Sequence, residues 1–331
     1  MKIRKLLIFP TALVILLTSS TSVFAASYSK SELSKVRYYQ KLYQGLSKKA
    51  YNESNLYKSK PRLFAKFKVG SLSNAYITTS LGYLNYYRRI VGLPPEKTYS
   101  RINADAQAGA SVLASLNADV SLSAHGLSAY KKPGYISNSI WRRASAVTFG
   151  NINFIEDDKA YSPEQNMTDL LKETANLAGK GNVGHRALIL SSKATKMGFG
   201  AAYGTNGTLY YVQNGVFAND IVRKPVKKIV TYPAGPVFPI EMLSDNTPWS
   251  VGFATRRLSK KPTVYISDLT DKVKKKALSV KVFDSYYFGY GYLSIVTFYN
   301  PIKLINTHKY QVTISKVYNY KFRLFQQNGT D

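Results

Sequence analysis

The sequence predicts an α+β protein, with a mixed helical domain first and a smaller all-β domain after it. Three observations carry that expectation. Three segments between residues 74 and 178 repeat apolar residues at helical spacing. The period then drops to two on either side of an Asn-Gly turn, Gly204-Thr205-Asn206-Gly207. Beyond the proline-rich tract 232–239, six short alternating runs recur at the spacing of a sandwich. Parallel βαβ units are missing, so a doubly wound sheet is not expected.

The first helix is expected over Asn74–Val91. Ile77, Leu81, Leu84 and Val91 share one face, Ser73 or Asn74 caps its start, and Gly92 with Pro94-Pro95 ends it. A second, Ala-rich helix spans Arg101–Leu116, with Ile102, Ala106, Ala110 and Leu113 forming a stripe suited to close packing. Ser162-Pro163-Glu164-Gln165 signals a third helix, lined by Met167, Leu170, Leu171, Thr174 and Ala178 and stopped by Gly179-Lys180-Gly181. Lys196–Tyr203 and Leu209–Phe217 read as a hairpin. Gly198 and Gly200 within it mark a bulge or a close backbone approach. The later runs begin near Trp249, Thr263, Leu278, Tyr292, Tyr310 and Tyr320, and predict an immunoglobulin-like β-sandwich.

Organisation follows from composition. Lys2, Arg4 and Lys5 precede the apolar stretch Leu6–Leu17, and Val23-Phe24-Ala25 offers small residues for cleavage, so residues 1–25 read as a signal peptide. The mature chain is expected to be exported, with no later transmembrane span. Residues 26–69 are rich in Lys, Ser and Tyr and read as a basic, solvated segment with one short helix near Leu33–Leu46. The mixed domain then occupies 70–222, a linker 223–236 and the β-sandwich 237–331.

There is no cysteine among the 331 residues, which excludes disulfides, thiolate metal sites and Cys nucleophiles. An exported protein without disulfides fits a Gram-positive host. The formal charge is +28, or +25 without the three basic residues of the leader. Charge of that size bears on partners rather than fold. Outside such a cell it points to anionic wall polymers or an anionic lipid surface, and export argues against a specific nucleic-acid partner.

Of the three histidines, His185 sits in the most distinctive setting, Asn182-Val183-Gly184-His185-Arg186, followed by Ala187-Leu188-Ile189-Leu190. This tract, with the Leu84-Asn85-Tyr86-Tyr87-Arg88 helix, the stretch Leu116–His125 and the strands Gly198–Phe217, resembles the CAP superfamily in its cysteine-free bacterial form (cysteine-rich secretory, antigen 5 and pathogenesis-related-1 proteins). The resemblance covers about residues 72–218, and the Gly-His-Arg tract is its specific part. It implies a CAP-type α-β-α sandwich with a central cleft, in which two His and two Glu can hold a divalent metal. The matching histidines are His125 and His185. The family's Gly-Glu-Asn-Ile reads Phe149-Gly150-Asn151-Ile152 here, without the glutamate. Glu156, Asp157, Glu164, Asp169 and Glu173 are the acids nearby.

The candidate cleft residues are therefore His125, His185, Asn151 and Arg186, with Glu156 and Glu173 as candidate carboxylates. His125 and His185 alone make an incomplete site for zinc or another divalent metal, and a hydrogen-bonded binding cleft is preferred to a catalytic centre. His185 has a structural alternative, a ring that bonds a backbone carbonyl and shapes its loop. No Gly-x-Ser-x-Gly elbow supports a serine triad. The expected role is non-catalytic binding, retained at the wall by charge. A metal-dependent hydrolase acting on wall polymer, peptide or nucleic acid, and a lipid or sterol carrier, are the alternatives. His308 reads as a surface turn. The tyrosines of 286–292 read as the cover of a sheet or as an exposed platform for a polymer.

Overall fold

The computed structural model describes residues 28–120, 123–156, 160–285 and 287–329, so the expected signal peptide lies outside the described residues. In chain order the first part holds α1 (Lys30–Gln44), β1 (Tyr57–Ser59), β2 (Ser71–Leu72), α2 (Asn74–Ile90), α3 (Ser100–Leu116), a 3-10 turn at His125–Leu127, α4 (Asn138–Val147), β3 (Asn151–Ile155), α5 (Pro163–Lys172), α6 (Gly184–Ile189), β4 (Gly198–Tyr203), β5 (Leu209–Asn214) and α7 (Ala218–Ile221). No helix among the described residues is long and apolar enough to cross a membrane.

β3, β5 and β4 form an antiparallel sheet in that order. Alternation divides its side chains between two cores. Ile152, Ala202, Tyr210 and Val212 pack with Ala106, Ala110 and Leu113 of α3 and Ala144 of α4. Phe199, Ala201, Tyr211 and Ile155 pack toward α2, α5 and α6. The result is helices on both faces of a sheet. Edge strand β4 is sealed by α3, because Asn103 accepts the Phe199 N–H (2.9 Å) and Gln107 bonds both the N–H and the C=O of Ala201. The helix comes this near because Gly198 and Gly200 carry no Cβ; one on Gly200 would lie 2.2 Å from the Ala106 backbone. The glycines mark a close approach, as the sequence suggests.

The helical signals fall where expected at their starts. Ser73 caps α2, and Ser162 with Gln165 closes a capping box on α5. The buried face of α2 keeps Leu84 of the expected aliphatic stripe, and Val91 just beyond the helix is buried too, but tyrosines make up much of the rest. Tyr76, Tyr83, Tyr86 and Tyr87 are buried, while Ile77 and Leu81 are only partly so. Tyrosines supply most of this core, with hydroxyls that reach partners such as Glu164 and Ser47. Buried Arg88 at the end of α2 donates to the carbonyls of Ile189 and Ser191 and pairs with Glu96 at 2.8 Å, which pins the end of α6.

The second part contains β6 (Ile229–Tyr232), β7 (Val237–Pro239), β8 (Trp249–Phe253), β9 (Val264–Asp268), β10 (Val273–Lys276), β11 (Leu278–Asp284), β12 (Ser294–Tyr299), β13 (Lys309–Ile314) and β14 (Tyr318–Phe325). Two sheets, β10-β9-β13-β14-β7 and β11-β12-β8-β6, meet through Trp249, whose ring lies 5.5 Å from that of Phe322. Part of the tract expected to be a linker is strand. β6 pairs with β8 and β7 pairs with β14, so the prolines carry the chain from one sheet to the other. Pro239 is tolerated because β7 is an edge strand.

The basic N-terminal segment is packed rather than solvated. Glu32 of α1 pairs with Lys309 (2.9 Å) and Arg323 (3.1 Å) of the second part, and Tyr39 stacks on Phe325. The same helix reaches α2, where the Tyr39 hydroxyl donates to Arg89 O. One continuous core joins α1, the helical part and the sandwich.

Candidate functional site

α5 ends earlier than its apolar stripe implies, at Lys172, because Glu173 takes a left-handed conformation (φ 58°). That turn sends the buried Glu173 carboxylate back toward α6. One oxygen accepts the Nδ1–H of His185 at 2.8 Å and an N–H of Asn176 at 2.7 Å. The other accepts the Arg186 amide at 2.8 Å. Burial alone would lower the His185 pKa, but the adjacent Glu173 charge and hydrogen bond outweigh it and raise the pKa above its ordinary value. His185 thus bonds a carboxylate, not the backbone carbonyl considered as an alternative.

His125 sits in the 3-10 turn after α3, and its Nδ1 lies 2.8 Å from the Thr148 carbonyl. A carbonyl only accepts, so Nδ1 carries the proton and Nε2 keeps its lone pair when the ring is neutral. The same tautomer follows for His185 from its carboxylate partner. Neither Nε2 has a hydrogen-bond partner among the described residues.

Both imidazoles line one cleft of about 560 Å³, walled by Val120, Ala124, Ile152, Phe154 and Leu177, with Glu156 and Asn176 adding polar groups. Both also border an adjoining recess of about 100 Å³ closed by Asn151, Asn182, Tyr287 and Tyr290. The two tyrosines come from the second part. Tyr287 donates to Asn182 Oδ1 (2.9 Å) and accepts the Val183 N–H (3.0 Å), so the loop after β11 completes the wall beside α6. Tyr287 and Tyr290 therefore bring the second part against the recess. Tyr287 and Tyr292 are buried rather than an open platform, and the Tyr292 ring covers the sheet at Gly252 of β8.

Asn151 borders the recess, and its side chain holds the cleft's frame by donating to His185 O and Gln213 Oε1. Glu156 is exposed on the wall. Arg186 does not reach the cleft. A helix turns neighbouring side chains about 100° apart, and this one is buried in the opposite direction. Its guanidinium donates to Leu171 O, Pro248 O (2.6 Å) and Ser250 Oγ, and lies 3.9 Å over the Tyr232 ring. It fastens the first part to the second. His308 is more enclosed than a surface turn implies, with Nδ1 2.8 Å from Asp268.

A catalytic zinc uses three protein ligands and an open position. Among the described residues, only Asp268, Asp271 and His308 form a His/Cys/Asp/Glu group of three or more with ligand atoms within 4.8 Å of one another. In the cleft, both Glu173 oxygens are already engaged by His185, Asn176 and the Arg186 amide. Glu156, on the same wall, makes no group of three ligand atoms with the two imidazoles among the described residues, so the cleft does not fit a three-ligand centre. Asp157 lies outside the described residues.

Glu173 and Glu156 are the two carboxylates that the sequence puts forward, and which of them holds His185 depends on where α5 stops. Tyr287 and Tyr290 carried no signal that tied them to the histidines. No curated protein matches the chain. Residues 81–214 match the family model described as the cysteine-rich secretory protein family, CAP, and run from the middle of α2 to the end of β5, including both cleft histidines. This region of the chain is a CAP domain, followed by a β-rich region.

Proposed function

We propose that the chain is an exported, wall-associated CAP-domain protein of a Gram-positive bacterium that binds its ligand without chemical turnover. One observation carries the binding role: two imidazoles, each tied at Nδ1, line a single cleft whose walls are largely apolar. Oriented Nε2 atoms on an apolar wall, which accept when the ring is neutral and donate when it is protonated, suit a ligand with hydroxyl or amide groups and apolar faces. The N-acetylated glycan of a bacterial wall has that chemistry. The leader-like N-terminus and the large positive charge support export and retention on anionic wall polymers.

A second reading has its own support. Leu177, 74% exposed, and Val120 stand on the cleft wall, as an amphiphile carrier would need. The two readings separate in one experiment. N-acetylglucosamine oligomers are titrated while the ring protons of His125 and His185 are followed by NMR, in parallel with displacement of a fluorescent fatty acid. Saturable shifts at both rings with intact oligomer support glycan binding. Fatty-acid binding with silent rings favours the carrier. Tight stoichiometric zinc uptake that a His125→Ala/His185→Ala variant loses, together with oligomer cleavage, would sink both in favour of a hydrolase.

A further inference from the structure

The outward face of the five-stranded sheet carries cations used by neither the cleft nor the core. Along β9, Val264, Ile266 and Asp268 turn inward, while Tyr265 and Ser267 are half-buried on the outward side. Strand register fixes what lies beside them. One row runs Lys274, Ser267, Gln311, Lys321, and the next runs Lys276, Tyr265, Thr313, Asn319. With strands about 4.8 Å apart, Lys274 and Lys321 stand about 14 Å apart across the row. All three lysines are exposed, and no described carboxylate forms an ion pair with any of them. Lys309 and Arg323, one step along the sheet, are instead neutralised by Glu32 of α1.

Lysines on an edge strand deter pairing with other chains, which accounts for those of β10. It does not account for Lys321, three strands in, or for the hydrogen-bonding strip between. We infer that this face docks a linear polymer of repeating phosphate groups. Lysines contact the charges, and the Ser267, Gln311, Thr313 and Asn319 side chains donate to phosphate oxygens between them. A bilayer is disfavoured because the strip's one ring, Tyr265, is half-buried and covered by Lys274, which leaves no apolar side chain to insert. Nucleic acid is disfavoured because the Tyr265 ring is covered by the Lys274 ammonium, 4.7 Å from its centroid, so no open face is left for a base. The inference rests on the wall-retention reading for the source of the polymer, and it is independent of the cleft.

The test uses the full chain and immobilised inorganic polyphosphate. Lys274→Glu/Lys276→Glu/Lys321→Glu is compared with an equal change in charge at exposed Lys35, Lys131 and Lys224. The face variant is expected to bind at least about tenfold more weakly, with a salt slope shallower by about 3, and the control to stay within about twofold. If the Glu variant does not fold, the three Lys→Gln changes replace it. Equal losses in face variant and control overturn the site but keep diffuse retention. No binding by the native chain overturns both. Binding to phosphatidylglycerol vesicles that needs the same lysines and resists polyphosphate overturns the polymer in favour of a lipid surface. Stronger competition by single-stranded DNA of equal charge overturns it in favour of nucleic acid.

Discussion

Glu173 holds His185 with one carboxylate oxygen and the amide of Arg186 with the other, each at 2.8 Å. Two neighbouring residues are thereby fixed by one buried group, and they do different work. His185 faces the cleft, while Arg186 reaches into the sandwich.

Removing the Glu173 charge should release the His185 pKa. In Glu173→Gln, burial is left to act without its counter-charge, so the pKa should fall below its value in the native protein, as read by NMR titration. The native pKa is raised, so the pair's contribution to stability is complete below the ordinary 6.5 and fades as pH rises through the folded value. The variant's deficit should accordingly be largest at mildly acid pH. An unchanged His185 titration would break the argument.

Arg186→Ala should cost about 3–5 kcal/mol, because it opens a cavity and strips buried carbonyls of their donor. Denaturant unfolding measures it. Arg186→Lys should rescue little, since one ammonium cannot reproduce a planar fork that serves Leu171, Pro248 and Ser250 together. A lysine variant of native stability would refute this role.

Glu32 clamps α1 to the sandwich, and it also predicts an acid transition. Burial would raise its pKa, but the Ser29 amide, Lys309 and Arg323 hold it down to about 2. Its stabilisation is therefore present above the unfolded value of 4.5 and lost as pH falls toward about 2. The difference in Tm between native protein and Glu32→Gln should be largest near neutral pH and vanish at the acid end. A constant difference would count against it.

Gly200→Ala should destabilise by about 3 kcal/mol, because the new methyl meets the α3 backbone, which cannot move aside cheaply. Gly134→Ala, with nothing within 4 Å of its Cβ, is the matched control and should change stability by no more than about 0.5 kcal/mol. Similar effects at both positions would show that the close packing at β4 is not what requires glycine.

The starts of α2 and α5 were legible because capping is local: Ser73 and Ser162 bond amides three residues on. The end of α5 was not, since Thr174 and Ala178 continue the helical period while Glu173 gains more by turning toward His185 and Arg186. β6 and β7 were hidden in a proline tract, and their strand character comes from partners in β8 and β14. The packing of the basic segment is hidden for a related reason. Its tyrosines look solvated beside so many lysines, yet Tyr39 and Tyr43 are buried against elements far along the chain.

By itself, then, the sequence determined the α+β class, the helix starts, the Asn-Gly hairpin, most strands of the second part and the two histidines of interest. These depend on periodicity and on contacts within a few residues. Only the tertiary structure decided that Glu173 rather than another acid holds His185, that Arg186 turns away from the cleft, and that Tyr287 and Tyr290 close it. Each of those outcomes is a contact between segments 12 to more than 100 residues apart. Such contacts are set by where helices stop and how layers pack, and no local pattern encodes them.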